Sequence, residues 1–169
     1  MPSKRVLILN HTQIQQKINR IAYQILEDNI DEKEIIIAGV VARGYRLALR
    51  LEKVLKKISH FKIKMLQIEL NKDSSKLEST INIPLSECEN KVIILVDDVL
   101  SSGKTIAYGI GVFLNIPLKK LRSVVLINRS HKLFPVSTDY VGLELSTVLK
   151  EHVSVVLDEK GEEDGVYLE

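Results

Sequence analysis

Three stretches of unbroken aliphatic residues constrain this chain more than any other feature. Residues 34–38 (EIIIA), 91–96 (KVIILV) and 121–128 (LRSVVLIN) do not alternate between polar and apolar positions. A strand of that kind is covered on both faces, as in a parallel sheet flanked by helices. Helical spacing appears between such runs. Ile14, Ile18, Ile21 and Ile25 form one stripe, with Thr12 expected as the cap and an end near Asn29. Leu47, Leu51, Val54 and Leu55 form a second stripe within 45–57, and a third helix is expected over 105–114. Residues 6–9, 61–70, 140–143 and 153–157 read as further strands. Strands alternating with helices predict an α/β fold, a doubly wound, mostly parallel sheet with helices on both faces.

Composition narrows the class. A chain of 169 residues suits a single domain, 1–169, with a sizeable core. The chain is 45% hydrophobic and 27% charged, which excludes a disordered protein. A net charge of +2 excludes a supercharged nucleic-acid coat. Cys88 is the single cysteine, so no intrachain disulfide and no cysteine-rich zinc site can form. No apolar run approaches the ~20 residues of a membrane span. The apolar stretch VLIL near the start is too short for a signal peptide, so the expected compartment is the cytoplasm. Residues 71–90 are polar, hold Pro84 and have no clear period. They are expected to form a flexible loop over about 70–90, with a hairpin as the alternative.

The strand 91–96 runs directly into DDVLSSGKT. In an open parallel sheet, ligands bind beyond the carboxyl ends of the strands. Asp97 and Asp98 are delivered to that edge. Ser101, Ser102, Gly103, Lys104 and Thr105 follow at the start of a helix. Gly103 lets backbone approach an anion, which hydroxyls and helix N–H groups then hold. The expectation is a phosphate at the turn, and hydroxyls or a metal ion at the carboxylates. A Walker A loop is excluded, because the position that must be its first glycine is Asp98.

The segment VIILVDDVLSSGKT resembles the phosphoribosyl-pyrophosphate (PRPP) motif of the type I phosphoribosyltransferases. AGVVARGYRL (38–47) resembles that family's pyrophosphate-binding loop, 139–142 (DYVG) its base-covering segment and 156–159 (VLDE) its closing strand. NRIAYQI, ARG, NRSH and DYVG stand in the order found in the bifunctional pyrimidine operon regulator and uracil phosphoribosyltransferase family. The resemblance implies the type I fold with a small hood formed by the terminal segments. It implies transfer of 5-phosphoribosyl from PRPP to a nucleobase, with Mg²⁺ neutralising the pyrophosphate. By the same resemblance, Asp97 and Asp98 would hold the ribose hydroxyls, directly or through Mg²⁺. Ser101, Ser102, Gly103, Lys104 and Thr105 would hold the 5′-phosphate. Ala42, Arg43 and Gly44 would hold pyrophosphate, with a cis peptide expected at Ala42–Arg43. Asn128, Arg129, His152 and Val153 would meet the base, and Asp158 would join Asp98 at the metal.

Plainer readings stand beside several of these roles. Arg43 can be a solvated arginine at a helix start, Asn128 and Arg129 a capping turn, His152 a surface histidine and Asp158 a structural acid. Ser101 stands where purine-salvage relatives usually place an aspartate that exchanges a proton with the ring, and a serine does this poorly. The pyrimidine uracil, giving UMP, is therefore the expected acceptor; the alternatives are a non-catalytic nucleotide- or PRPP-responsive RNA-binding regulator of pyrimidine genes, or a purine phosphoribosyltransferase. Two features depart from the resemblance. The 70–90 loop offers Lys72 and Lys76 but no arginine, which weakens closure over PRPP. The first helix has Asn19, Tyr23 and Asp28 beside Arg20, and His131 and Lys132 add little charge, so RNA binding by a regulatory partner face is disfavoured though possible in kind. The resemblance also implies a homodimer.

Overall fold

The computed structural model describes residues 4–71 and 73–169. Lys72, one of the two loop lysines, lies outside the described residues. The central sheet has six strands. They are β2 (Glu34–Val40), β3 (Lys62–Leu70), β4 (Ser79–Ile81), β5 (Val92–Leu100), β6 (Lys120–Asn128) and β7 (Tyr140–Glu144), arranged in the order β4-β3-β2-β5-β6-β7. All neighbours pair in parallel except the edge strand β4. The aliphatic runs account for this: Ile35, Ile36, Ile37, Ile93, Ile94 and Leu95 are all fully buried between helical layers.

Helices α1 (His11–Asp28) and α2 (Arg43–Ile58) pack on one face of the sheet, and α3 (Lys104–Phe113) covers the other. The cap of α1 is Asn10, not Thr12. Its side chain accepts from the Gln13 N–H at 2.9 Å while Gln13 accepts from the Asn10 N–H at 2.9 Å, a reciprocal box that Thr12 cannot supply. Helix α2 starts two residues earlier than its apolar stripe suggests. The segment 71–90 contains the hairpin: Leu70 pairs with Ser79, and a 3₁₀ turn over Leu85–Cys88 buries Cys88, whose thiol burial pushes above its usual range.

The terminal segments form a separate antiparallel sheet in the order β1-β9-β8, made of β1 (Val6–Asn10), β8 (Val153–Val156) and β9 (Gly165–Leu168). This is the expected hood. The last strand, β9, has no distinct pattern in the sequence.

The crossovers diverge from the sheet centre. From β2 the chain passes through α2 to β3 on one side, and from β5 through α3 to β6 on the other. The carboxyl ends of β2 and β5 therefore flank the crevice where an open α/β sheet receives ligands.

At the opposite end of the sheet, a charged cluster ties α1 to β6 and β7. The Tyr140 hydroxyl donates to Asp28, Arg122 Nε donates to the same carboxylate at 3.0 Å, and Lys120 lies 3.5 Å from it. The Tyr140 bond holds Asp28 below its ordinary 3.8, against the opposing effect of burial and with help from Arg122 and Lys120. A lowered carboxylate pKa gives stability that is complete above the unfolded value and is lost as pH falls below it. Asp28→Asn should therefore flatten the loss of stability between about pH 5 and about pH 3 in urea titrations. Tyr140→Phe should lower stability by about 1–2 kcal/mol at neutral pH.

Candidate active site

Strand β2 ends in the segment 41–44. The Val41 N–H is still held by the Ile68 carbonyl at 2.9 Å, and the next peptide, Val41–Ala42, is cis. The cis bond thus lies one residue before the expected Ala42–Arg43. Ala42 is the N-cap position of α2, and Arg43 stands exposed at the first position of the helix. Gly44 faces the end of β5. A Cβ there would lie 2.7 Å from the Val96 carbonyl oxygen and 3.1 Å from Asp97 Oδ1. The 41–44 segment and the acid pair are thus packed against one another, although 53 positions separate Gly44 from Asp97 (97 − 44 = 53).

Asp97 is buried, 5% exposed, whereas Asp98 is half-buried and accepts from the Val99 N–H at 2.9 Å. The chain then turns through Ser101, Ser102 and Gly103 into α3. Gly103 has φ +86°, and a Cβ there would lie 2.7 Å from Val136 Cγ2, so both conformation and space call for glycine. Ser102 shapes the turn: its hydroxyl accepts from the Lys104 N–H at 3.2 Å, and its carbonyl accepts from Leu133 and Phe134 N–H groups at 2.7 and 3.0 Å. Lys104 and Thr105 open the helix, whose first N–H groups face outward along the dipole. Carboxylates for hydroxyls, then a hydroxyl-rich helix start for an anion, are chemically matched to a phosphorylated sugar.

Strand β6 brings Asn128 and Arg129 to the same edge, where both are buried. Asn128 Oδ1 accepts from the Ser130 N–H at 3.0 Å and its amide donates to Glu144 at 3.3 Å. Arg129 Nε donates to Thr147 Oγ1 at 3.1 Å, Nη2 donates to the Glu151 carbonyl, and Nη1 reaches Ser101 Oγ at 3.5 Å. These two side chains hold the 144–151 segment and the Ser101 turn. His152 has an exposed ring, and its N–H and carbonyl both pair with Glu169 at 2.8 Å. Val153 is buried in β8 opposite Leu168. The backbone of His152 is thus engaged within the hood.

Asp158 lies on the turn that follows β8. It shares the wall of a cavity of about 1130 Å³ with Val41, Ala42, Tyr45, Arg46 and Glu159, and Asp98 is not part of that wall. Its Oδ1 is buried and has no hydrogen-bond partner. Below it, Asp164 is held beneath its usual range: burial would raise it, but the hydrogen bonds and charge of Arg50 outweigh that, aided by His11. No group of three or more His, Cys, Asp or Glu side chains forms a metal cage among the described residues.

A model of the phosphoribosyl transferase domain matches residues 7–160. The chain belongs to this family. Two similar proteins are both named Bifunctional protein PyrR. That of Staphylococcus saprophyticus is 32% identical, covering 96% of this chain and 98% of the relative. That of Alkaliphilus metalliredigens is 35% identical, covering 98% and 96%. Among solved structures, the hypoxanthine phosphoribosyltransferase of Trypanosoma cruzi superposes with a TM-score of 0.79 at 17% identity, over 96% of this chain and 94% of that one. A hypoxanthine-guanine phosphoribosyltransferase of Bacillus anthracis gives 0.74 at 20%, over 88% and 84%. These neighbours share the type I fold.

Within this phosphoribosyltransferase, Asn128 and Arg129 tie down turns, as their capping-turn alternative expects, and their partners Glu144, Thr147 and Glu151 lie 16–22 positions downstream. The tight contact at Gly44 was carried only by the glycine in ARG. Gly44→Ala should lower stability by roughly 1–3 kcal/mol in urea unfolding, because the added carbon meets backbone atoms of β5. Unchanged stability would show that the 41–44 segment does not need this approach.

Proposed function

We infer that this chain transfers 5-phosphoribosyl from PRPP to uracil, giving UMP and pyrophosphate. The observation that carries the reading is the packing of the 41–44 segment beside Asp97 at the mouth of the β2–β5 crevice. In the reaction, the C1′–O bond to pyrophosphate breaks and a bond from C1′ to the ring nitrogen forms. The electron pair leaves with pyrophosphate, and the proton of the ring nitrogen passes to solvent.

Asp97 and Asp98 hold the ribose hydroxyls. Ser101, Ser102, Gly103, Lys104 and Thr105 receive the 5′-phosphate at the start of α3. Ala42, Arg43 and Gly44 receive the pyrophosphate, where exposed Arg43 can swing onto developing negative charge. Asn128 and Arg129 act behind them by fixing the Ser101 turn and the 147–151 segment over the base, with His152 and Val153 at its hood side.

Asp158 fits Mg²⁺ carried by the pyrophosphate: a hard oxygen ligand with no hydrogen-bond partner at Oδ1, 3.9 Å from Arg50 Nη2, on a cavity wall shared with Val41 and Ala42. Mg²⁺ keeps several waters and needs only one or two carboxylates besides substrate phosphates, which agrees with the lack of a protein cage. When bound it neutralises the leaving group.

Two further observations favour catalysis on a pyrimidine. Ser101 presents a hydroxyl beside Arg129, with no carboxylate at that position to exchange a purine proton. Three cations on and beside α1 are engaged within the chain. Arg20 donates to the Val141 and Gly142 carbonyls at 3.0 and 2.7 Å, and Arg122 and Lys120 are paired with Asp28. Exposed Tyr23 and Leu49, on neighbouring α1 and α2, suit the face of a homodimer.

The double variant Asp97→Asn, Asp98→Ala should lose at least about 100-fold in UMP formation while its circular dichroism stays that of the parent. Turnover retained in the folded variant would refute the assignment of the acid pair.

A further inference from the structure

The helix that begins at the 41–44 segment also grips the hood. Arg46 and Arg50 are four residues apart, so both leave the same face of α2. Arg46 Nη1 donates to the Leu157 carbonyl at 3.2 Å, and Arg50 Nη2 donates to the Asp158 carbonyl at 2.6 Å. Arg50 also forms a two-pronged pair with Asp164, Nη1 to Oδ2 at 2.7 Å and Nη2 to Oδ1 at 2.9 Å. Asp164 is 1% exposed at its side chain. Its Oδ1 accepts in turn from the Asp158 N–H at 3.1 Å, and its Oδ2 lies 3.1 Å from His11 Nδ1. Gly161, at φ +78°, folds the connecting turn over the pair, and a Cβ there would lie 3.3 Å from Arg50 Nη1.

Asp158 is thereby held by both its N–H and its carbonyl, through one ion pair whose acid is buried, while its Oδ1 has no hydrogen-bond partner and lies 3.9 Å from Arg50 Nη2. Asp158 shares a cavity wall with Val41 and Ala42, about two helix turns before Arg50. One element, α2, begins at the segment proposed to receive pyrophosphate and holds the turn that carries Asp158 on the same cavity wall.

We propose that Arg50 and Asp164 are positioning residues that set Asp158 for recognition of the Mg²⁺-bound pyrophosphate group of PRPP. The inference depends on the function proposed above. Neither residue touches substrate; the planar fork of Arg50 is what orients the turn, and lysine cannot reproduce it. Outer partners of a metal-facing carboxylate typically matter about 10–100-fold for affinity.

The test uses the full chain with Asp164→Asn and, separately, Arg50→Lys. Hydrogen–deuterium exchange is followed at amides 157–159. Calorimetry measures PRPP with Mg²⁺, and UMP, which has no pyrophosphate. Both variants should exchange faster at 157–159. Their Kd for PRPP should rise about tenfold or more while the Kd for UMP moves less than about twofold. Unchanged PRPP affinity would overturn the proposal. So would equal losses for PRPP and UMP, which would mark a merely structural pair. A parent protein that binds neither ligand would overturn the proposed function and this inference with it, a failure seen before any variant is compared.

Discussion

The candidate site depends on how closely α2 can settle against the sheet. Strands β2 and β5 pair in parallel, with Ile36 opposite Ile93 and Gly39 opposite Val96, so both emerge at one edge. At Gly39 a Cβ would lie 2.5 Å from Tyr45 Cα, and at Gly44 it would lie 2.7 Å from the Val96 carbonyl oxygen. Two missing side chains let the helix start sit directly on the end of β5. The acid pair and the 41–44 segment then stand at the edge of a common crevice, brought together by the close approach that the two glycines allow.

The hood is attached by a different kind of force. Its sheet buries Val153, Val155 and Val166 in the main core, and polar contacts tie the turn after β8 to α2. A buried pair such as Arg50–Asp164 gives little net stability, because desolvation offsets attraction. It does give direction, since a two-pronged bond tolerates one geometry. The Arg129 cluster does the same for the 147–151 segment. Arg50 and Arg129 thus brace two irregular segments around the crevice, while exposed Arg43 stands at its mouth.

Much of this was legible in the sequence. The strands at β2, β5 and β6 could be read because burial on both faces leaves unbroken aliphatic runs. The acid pair and its turn could be read because strand, carboxylates, glycine and hydroxyls follow one another without interruption. The hood contacts could not, because Arg50 and Asp164 are 114 positions apart and neither belongs to a local pattern. Strand β9 was missed because its four residues, Gly165–Leu168, owe their strand form to partners at both chain ends. The cap of α1 was misplaced at Thr12 although Asn10 and Gln13 carry the spacing of a capping box. Arg129 carried two readings in the sequence, because an arginine at a strand end is equally suited to bind an anion or to tie down a loop.

The central claim is that the crevice is a PRPP site whose acceptor is a pyrimidine. The most direct measurement incubates the protein with PRPP, Mg²⁺ and, in turn, uracil, hypoxanthine, guanine, xanthine and adenine, and quantifies nucleotide and pyrophosphate. The account predicts UMP and an equal amount of pyrophosphate with uracil alone. Product from a purine but not from uracil would contradict the reading of Ser101, and the absence of product with every base would contradict the assignment of a transferase site to this crevice.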